Sequence, residues 1–393
     1  MPGKREAYPP PNGRWVVRSS IGDVTVSLHS DLKQVVDDFA RLYPPHQQDA
    51  GTKDREIRME VRRSGRSRIG RRLYRVYADG AEIGGWRPSN GIFPLIEWGI
   101  NLRVIETRPE YLQLHAASMV CRGQGFIFAG ESGHGKSTLA AILLAQGWQY
   151  LCDEFALVDV DTLTLHPFPK ALCIKTGSYP VIRKLGLQFA RRRDYVKAFK
   201  GRVGYLNPRE RGDERVGAPT PARFIVFPTY RSGGKPCLTP VSRAYAVMEL
   251  YRCCFNKRAL PEGSLPALAQ LVGHANCFRL EIGDPVETKR ILEALLPDTA
   301  TSESNTTKSW KGMEGGHAPR LDRKDRLTSR REMLRVGAKL AYVAPSVLTL
   351  TARQALAVAS NPSGICSTAM QTGELCETDA DCCSKDCDFG LCR

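Results

Sequence analysis

The stretch Gly130-Glu-Ser-Gly-His-Gly135-Lys136-Ser137 leaves its neighbours few ways to fold. It fits the pattern G-x-x-x-x-G-K-[ST], in which glycines let backbone N–H groups converge on phosphate oxygens. The helix that follows such a loop adds partial positive charge at its first turn. The flanks supply what the loop needs: GFIFAG before it is a buried-strand run, and STLAAILLAQG after it is an apolar helix closed at Gly147. The pattern predicts that Gly130, Ser132, Gly133, His134, Gly135, Lys136, Ser137 and Thr138 cradle the phosphates of ATP. Lys136 is expected to reach the β- and γ-phosphates, and the Ser137 hydroxyl to ligate Mg2+.

One crossover later Asp153 and Glu154 follow the apolar run WQYLC. A strand returning after the helix runs parallel to the first, which brings its carboxyl end beside the cradle. An acid there holds Mg2+ or takes the proton of an attacking hydroxyl. So short a spacing fits a compact kinase rather than a large mechanochemical ATPase. A solvated turn acid is the bland reading of the pair. His115 precedes the strand pair that leads to the loop, and a lone histidine reads equally as an ordinary core or surface residue.

The rest of the chain reads as α/β. RWVVRSS and DVTVSLHS predict paired strands, and DLKQVVDDFARLY a helix with Ser30 or Asp31 as N-cap. REIRMEVRRS and RLYRVYADG predict further strands with a turn at Asp79-Gly80, and GIFPLIEWGINLRVIET a helix kinked at Pro94. Residues 1–110 thus form a small α+β region, and residues 111–297 the nucleotide-binding domain, closed by the helix PVETKRILEALL. Residues 298–328 are polar and aperiodic and predict a flexible linker.

Composition narrows the partners. A formal charge of +16 favours acidic ones, and no aromatic interleaving of the basic stretches points to nucleic acid. The start, MPGKREAYPPPNGRW, lacks an apolar h-region and no long apolar run follows, so the reading is cytoplasmic, without a membrane span. Homo-oligomerisation stays open. The basic stretch Arg183–Arg202, with Arg191-Arg192-Arg193, docks an acidic peptide or is an exposed helix face.

Three pieces, LHAASMVCRGQGFIFAG, ESGHGKST and QGWQYLCDEFALV, resemble in order the C-terminal catalytic domain of HPr kinase/phosphorylase and, more closely, the HPr-kinase-related proteins. The resemblance is specific over residues 112–160 and extends to about residue 297. It implies a P-loop serine kinase fold, with Asp153 as the general base for a serine hydroxyl. It further implies that Lys136 and His115 stand at the reacting phosphate and that Ser137 and Glu154 hold Mg2+. FPKALCIKTGS is similar to a family segment near the nucleotide, so Lys170 and Lys175 touch phosphates or lie in a solvated loop. The family's second acid is Asp where this chain has Glu154. Its Gly/Arg-rich segment for phosphate removal has no counterpart in residues 175–215, so the reverse reaction is not expected.

The end of the chain reads differently. Ser329-Arg330-Arg331-Glu332-Met333-Leu334-Arg335, within 329–360, resembles a twin-arginine leader, although Lys339 and Arg353 interrupt its apolar part. Residues 361–393 space six cysteines as C-x9-C-x5-CC-x3-C-x4-C, similar to knottin-like mini-proteins; a metal-binding tail is the competing reading. Acids such as Glu374, Asp379 and Asp386 make this tail complementary to the basic domain. Its serines Ser360, Ser363, Ser367 and Ser384 are candidate phosphate acceptors, tethered at high effective concentration. A fusion without functional coupling is the bland reading. Other readings of the whole chain are a P-loop small-molecule kinase, a nucleotide-binding regulator without phosphoryl transfer, and a secreted tail as the product.

Overall fold

A computed structural model of the chain describes residues 14–44, 56–191, 193–198, 200–231, 233–257, 260, 263–297, 387–388 and 391–392. The chain falls into two compact units, Met1–Pro297 and Asp298–Arg393. In the second unit the described residues form a two-stranded antiparallel ladder with Cys387 opposite Cys392. The expected linker, the leader and the remainder of the six-cysteine tail, with Ser360, Ser363, Ser367 and Ser384, lie outside the described residues, as does Arg192.

The first unit is mixed α/β. Its opening strands are β1 (Trp15–Ile21) and β2 (Val24–Ser30), joined at Gly22, followed by α1 (Lys33–Leu42). Then come β3 (Glu56–Arg66), β4 (Arg72–Ala78) and β5 (Ala81–Pro88). They form one sheet in the order β1-β2-β3-β4-β5, antiparallel except where β3 runs parallel to β2 after the α1 crossover. Period-two alternation drives it: Tyr74, Val76 and Ala78 of β4 all point inward. Helix α2 (Ser89–Thr107) lies on this sheet and buries Ile92, Phe93, Ile96 and Ile100 completely, with Pro94 inside it.

The expected cap of α1 is corrected. Leu32 takes the N-cap position without a side-chain bond. The Ser30 hydroxyl instead accepts from the Leu32 N–H at 2.9 Å, and the Asp31 carboxylate from the Arg63 N–H at 2.9 Å. Fastening the incoming chain to β3 outweighs capping here.

The second half contains β6 (Tyr111–Leu114), β7 (Ala116–Cys121), β8 (Gln124–Ala129), α3 (Lys136–Ala145), β9 (Gln149–Cys152), β10 (Ala156–Asp159) and β11 (Thr164–His166). It continues with β12 (Leu172–Lys175), α4 (Tyr179–Lys184), β13 (Tyr195–Lys197), β14 (Gly201–Leu206) and β15 (Thr220–Tyr230). The last elements are β16 (Cys237–Pro240), α5 (Arg243–Cys253), α6 (Ser264–His274), β17 (Asn276–Ile282) and α7 (Pro285–Glu293). The large sheet runs β6-β10-β11-β15-β8-β7-β9, with β17 along β15 and β16 along β17; β12-β14-β13 form a small third sheet.

Two features of this order matter for the site. First, β9 runs in the direction of β8 but is not its neighbour, because β7 lies between them, antiparallel to both. Second, β15 is parallel to β8 and to β17. The carboxyl ends of β8, β9, β15 and β17 therefore share one edge with the amino end of β7. The chain changes partners at His115: β6 pairs with β10, while β7 pairs with β8 and β9.

The two halves share a core. Phe39 of α1, Met59 of β3 and Phe93 and Ile96 of α2 pack in one cluster with Phe155, Phe168, Tyr195 and Tyr205. Beneath it, buried polar groups join the same halves. The Lys170 ammonium lies 3.1 Å from the Glu97 carboxylate and also donates to the Glu97 carbonyl and to Asn101 Oδ1. Tyr43 donates to Glu97 Oε1 at 2.8 Å and accepts from the Ala171 N–H. Among the described residues no helix is long and apolar enough to cross a membrane.

Candidate active site

Strand β8 delivers the chain into the loop at Gly130, and helix α3 takes it up at Lys136. Gly133 and Gly135 sit at φ +100° and +93°, where a side chain is strained. At Gly135 a Cβ would also stand 3.2 Å from Ile282 Cδ1 and 3.4 Å from Tyr230 Cβ. Glycine there keeps the backbone against β15 and β17 while freeing the first N–H groups of α3. Ser132 and Gly133 are exposed on the rim, and His134 beside them lies 3.9 Å from the Glu131 carboxylate.

Lys136 is buried, and its ammonium donates back to the carbonyls of Gly130 at 2.5 Å and Glu131 at 2.9 Å. Burial lowers its pKa. Neutral carbonyls are weaker acceptors than phosphate oxygens, so a phosphate entering the loop outcompetes them. Thr138 differs from expectation. Its hydroxyl shares a 2.7 Å hydrogen bond with Ser178 Oγ, which ties α3 to the segment ahead of α4.

The two acids part company. Asp153 follows the last residue of β9, is 2% exposed, and neither carboxylate oxygen has a hydrogen-bond partner of normal geometry. Burial raises its pKa to about 6, Glu154 pushes the same way, and the nearby Ser137 hydroxyl, Lys200 and Lys136 oppose. A buried carboxylate without partners is costly and rare in a native fold. Glu154 is the opposite case. Its Oε1 accepts from Lys197 at 2.9 Å and Lys200 at 3.2 Å, and its Oε2 from Asn101 at 3.1 Å. Burial would raise its pKa, but the two lysines overcome this and hold it well below the ordinary range. With both oxygens occupied by donors, Glu154 does not fit the metal-ligand role expected for it.

His115 stands in the gap between β6 and β7, at the same edge. Its N–H donates to the Cys253 carbonyl at 2.7 Å and its ring rests on Phe255. Burial, then Lys136, lowers its pKa to about 4, so the imidazole is neutral at physiological pH. Lys170 does not reach the loop, because its ammonium is buried against Glu97; Lys175 is exposed. The basic stretch is divided: Arg191 pairs with Asp38 at 3.1 Å and lies over Tyr195, and Lys197 and Lys200 turn inward, while Arg183, Lys184 and Arg193 are exposed.

Sequence reading missed Lys197, Lys200 and Asn101. The first two lie on β13 and the turn into β14, inside a run that reads as solvated charge. Lys136, Lys197 and Lys200 together outnumber Asp153 and Glu154, so the cluster carries surplus positive charge and suits an anion. Among the described residues no cluster of three or more His, Cys, Asp or Glu side chains is placed to hold a metal. Compared with known proteins, the chain matches no family model and no curated protein.

Proposed function

We propose that this chain is a Mg-ATP-dependent serine kinase of the HPr-kinase-related type, acting on a protein or peptide. The observation that carries the reading is Asp153: a fully buried carboxylate with free lone pairs, at the same sheet edge as a glycine-rich loop and its lysine. Groups of this kind cluster at functional sites. As general base, Asp153 takes the proton of the acceptor hydroxyl while that oxygen bonds to the γ-phosphorus. The bond from the γ-phosphorus to the β,γ-bridging oxygen breaks, and ADP leaves. Lys136, freed from the loop carbonyls, and Lys200 at the Glu154 pair steady the charge on the transferred group. Neutral His115 lines the reacting end and offers a hydrogen bond rather than a charge.

A magnesium ion fits the oxygen donors present. The Ser137 hydroxyl and one of the two orphaned Asp153 oxygens would hold it, the other oxygen staying free for the proton, with the nucleotide phosphates and water completing the set, as is usual for this cation. It would supply charge neutralisation on the phosphate oxygens.

Lys136→Ala tests the reading. Incubated with Mg and γ-labelled ATP, the variant is expected to lose at least about 100-fold in transfer with an unchanged circular dichroism spectrum. Wild-type activity in this variant refutes the assignment, and ATP binding without turnover in the unaltered chain leaves a regulator instead.

For the acceptor we propose an acidic, cysteine-rich peptide like the chain's own tail. The support is charge: the whole chain is +16, while Glu374, Glu377, Asp379, Asp381, Asp386 and Asp388 crowd the tail. Mass spectrometry of the full chain after Mg-ATP is expected to find phosphate on Ser360, Ser363, Ser367 or Ser384. Phosphate absent from every residue beyond 300 rules this acceptor out.

A further inference from the structure

We propose that Tyr230 is the platform for the nucleobase, so that the nucleotide lies across the loop with its base over the end of β15 and its terminal phosphate toward Asp153. The proposal rests on the reading that Gly130–Ser137 binds nucleotide phosphates, and adds to it an orientation and a residue.

Strand order gives the orientation. The loop leaves β8, Asp153 ends β9 two strands to one side, and Tyr230 ends β15, the neighbour on the other side. A phosphate chain whose reacting end faces Asp153 must send its nucleoside the opposite way, toward β15 and β17. On that side, away from His115 and Phe255, the shared edge offers the ring of Tyr230. Tyr230 is 60% exposed, more than Trp15, Trp98 or Phe255, the other exposed aromatics among the described residues. Its phenol has no hydrogen-bond partner and its ring no aromatic neighbour among them.

The residue is nonetheless fixed. Tyr230 is paired with Ile282 in the parallel ladder of β15 and β17, and Arg231 donates from its N–H to the Ile282 carbonyl. Its Cβ lies 3.4 Å from where a side chain at Gly135 would begin, directly beside the first turn of α3. An exposed aromatic on a rigid strand end next to a phosphate cradle has the geometry for stacking a base. Stacking on one face, without hydrogen bonds to the base edge, does not separate adenine from guanine.

Binding of the full chain to Mg-ADP, Mg-GDP and inorganic tripolyphosphate tests this. Tyr230→Ala is expected to weaken both nucleotides about tenfold and leave tripolyphosphate unchanged, while Tyr230→Phe binds all three like the parent. Unchanged nucleotide affinity in Tyr230→Ala overturns the platform, and so does an equal loss for tripolyphosphate, which would mark a residue that merely props the loop. A parent chain that binds no tripolyphosphate fails at the cradle itself, a result distinct from either.

Discussion

Replacing Asp153 with asparagine is expected to slow phosphoryl transfer by about 100- to 10,000-fold, the usual contribution of a positioned base. The same change should make the unliganded protein more stable. The carboxyl group is raised from an ordinary 3.8 to about 6 because burial disfavours its charge. The folded state therefore keeps a proton that the unfolded chain has released. Below about pH 4 both states are protonated and the group is neutral toward stability. As pH rises through about 6 the folded state must ionise it, and the full cost, about 3 kcal/mol, is then present. Urea unfolding should show Asp153→Asn level with the parent near pH 4 and more stable by about that amount at pH 8. In the parent, kcat/KM should fall as pH drops below about 6, and the residual rate of the variant should lose that limb. Equal stability of the two proteins at pH 8 would mean that the carboxylate is not the strained group described.

The opposite outcome is expected at Lys170. Its side chain and that of Glu97 are 3% and 2% exposed, so Lys170→Met leaves a carboxylate buried with only the Tyr43 hydroxyl as donor. Removing one partner of such a pair costs about 3–5 kcal/mol. The loss should be read as a lower urea midpoint with an unchanged slope. Adding Glu97→Gln to Lys170→Met should recover much of it, since the orphaned charge is then gone. A single variant as stable as the parent would show that the pair is not desolvated.

These two expectations mark where the sequence was legible and where it was not. Gly130–Ser137 could be read directly, because a left-handed glycine beside a lysine at a helix start is a local requirement. Asp153 could be placed at the right edge from the alternation of strand and helix alone. The insertion of β7 between β8 and β9 could not, since strand order depends on which apolar faces find each other across the chain. Lys170, Lys197 and Lys200 were unreadable for a related reason. Each is defined by an acid 43 to 73 residues away, Glu97 or Glu154, that a pattern of local charge does not contain. Tyr230 carried no signal beyond being one aromatic at the end of an apolar run.

The intervening strand has a geometric consequence. Neighbouring strands lie about 4.8 Å apart, so with β7 inserted the exits of β8 and β9 stand about 10 Å apart. Adjacent exits would leave width for little more than a single contact between lysine and acid. A double gap leaves width for a phosphoryl group in transit, its three oxygens spread flat between one oxygen arriving and another departing on a common line.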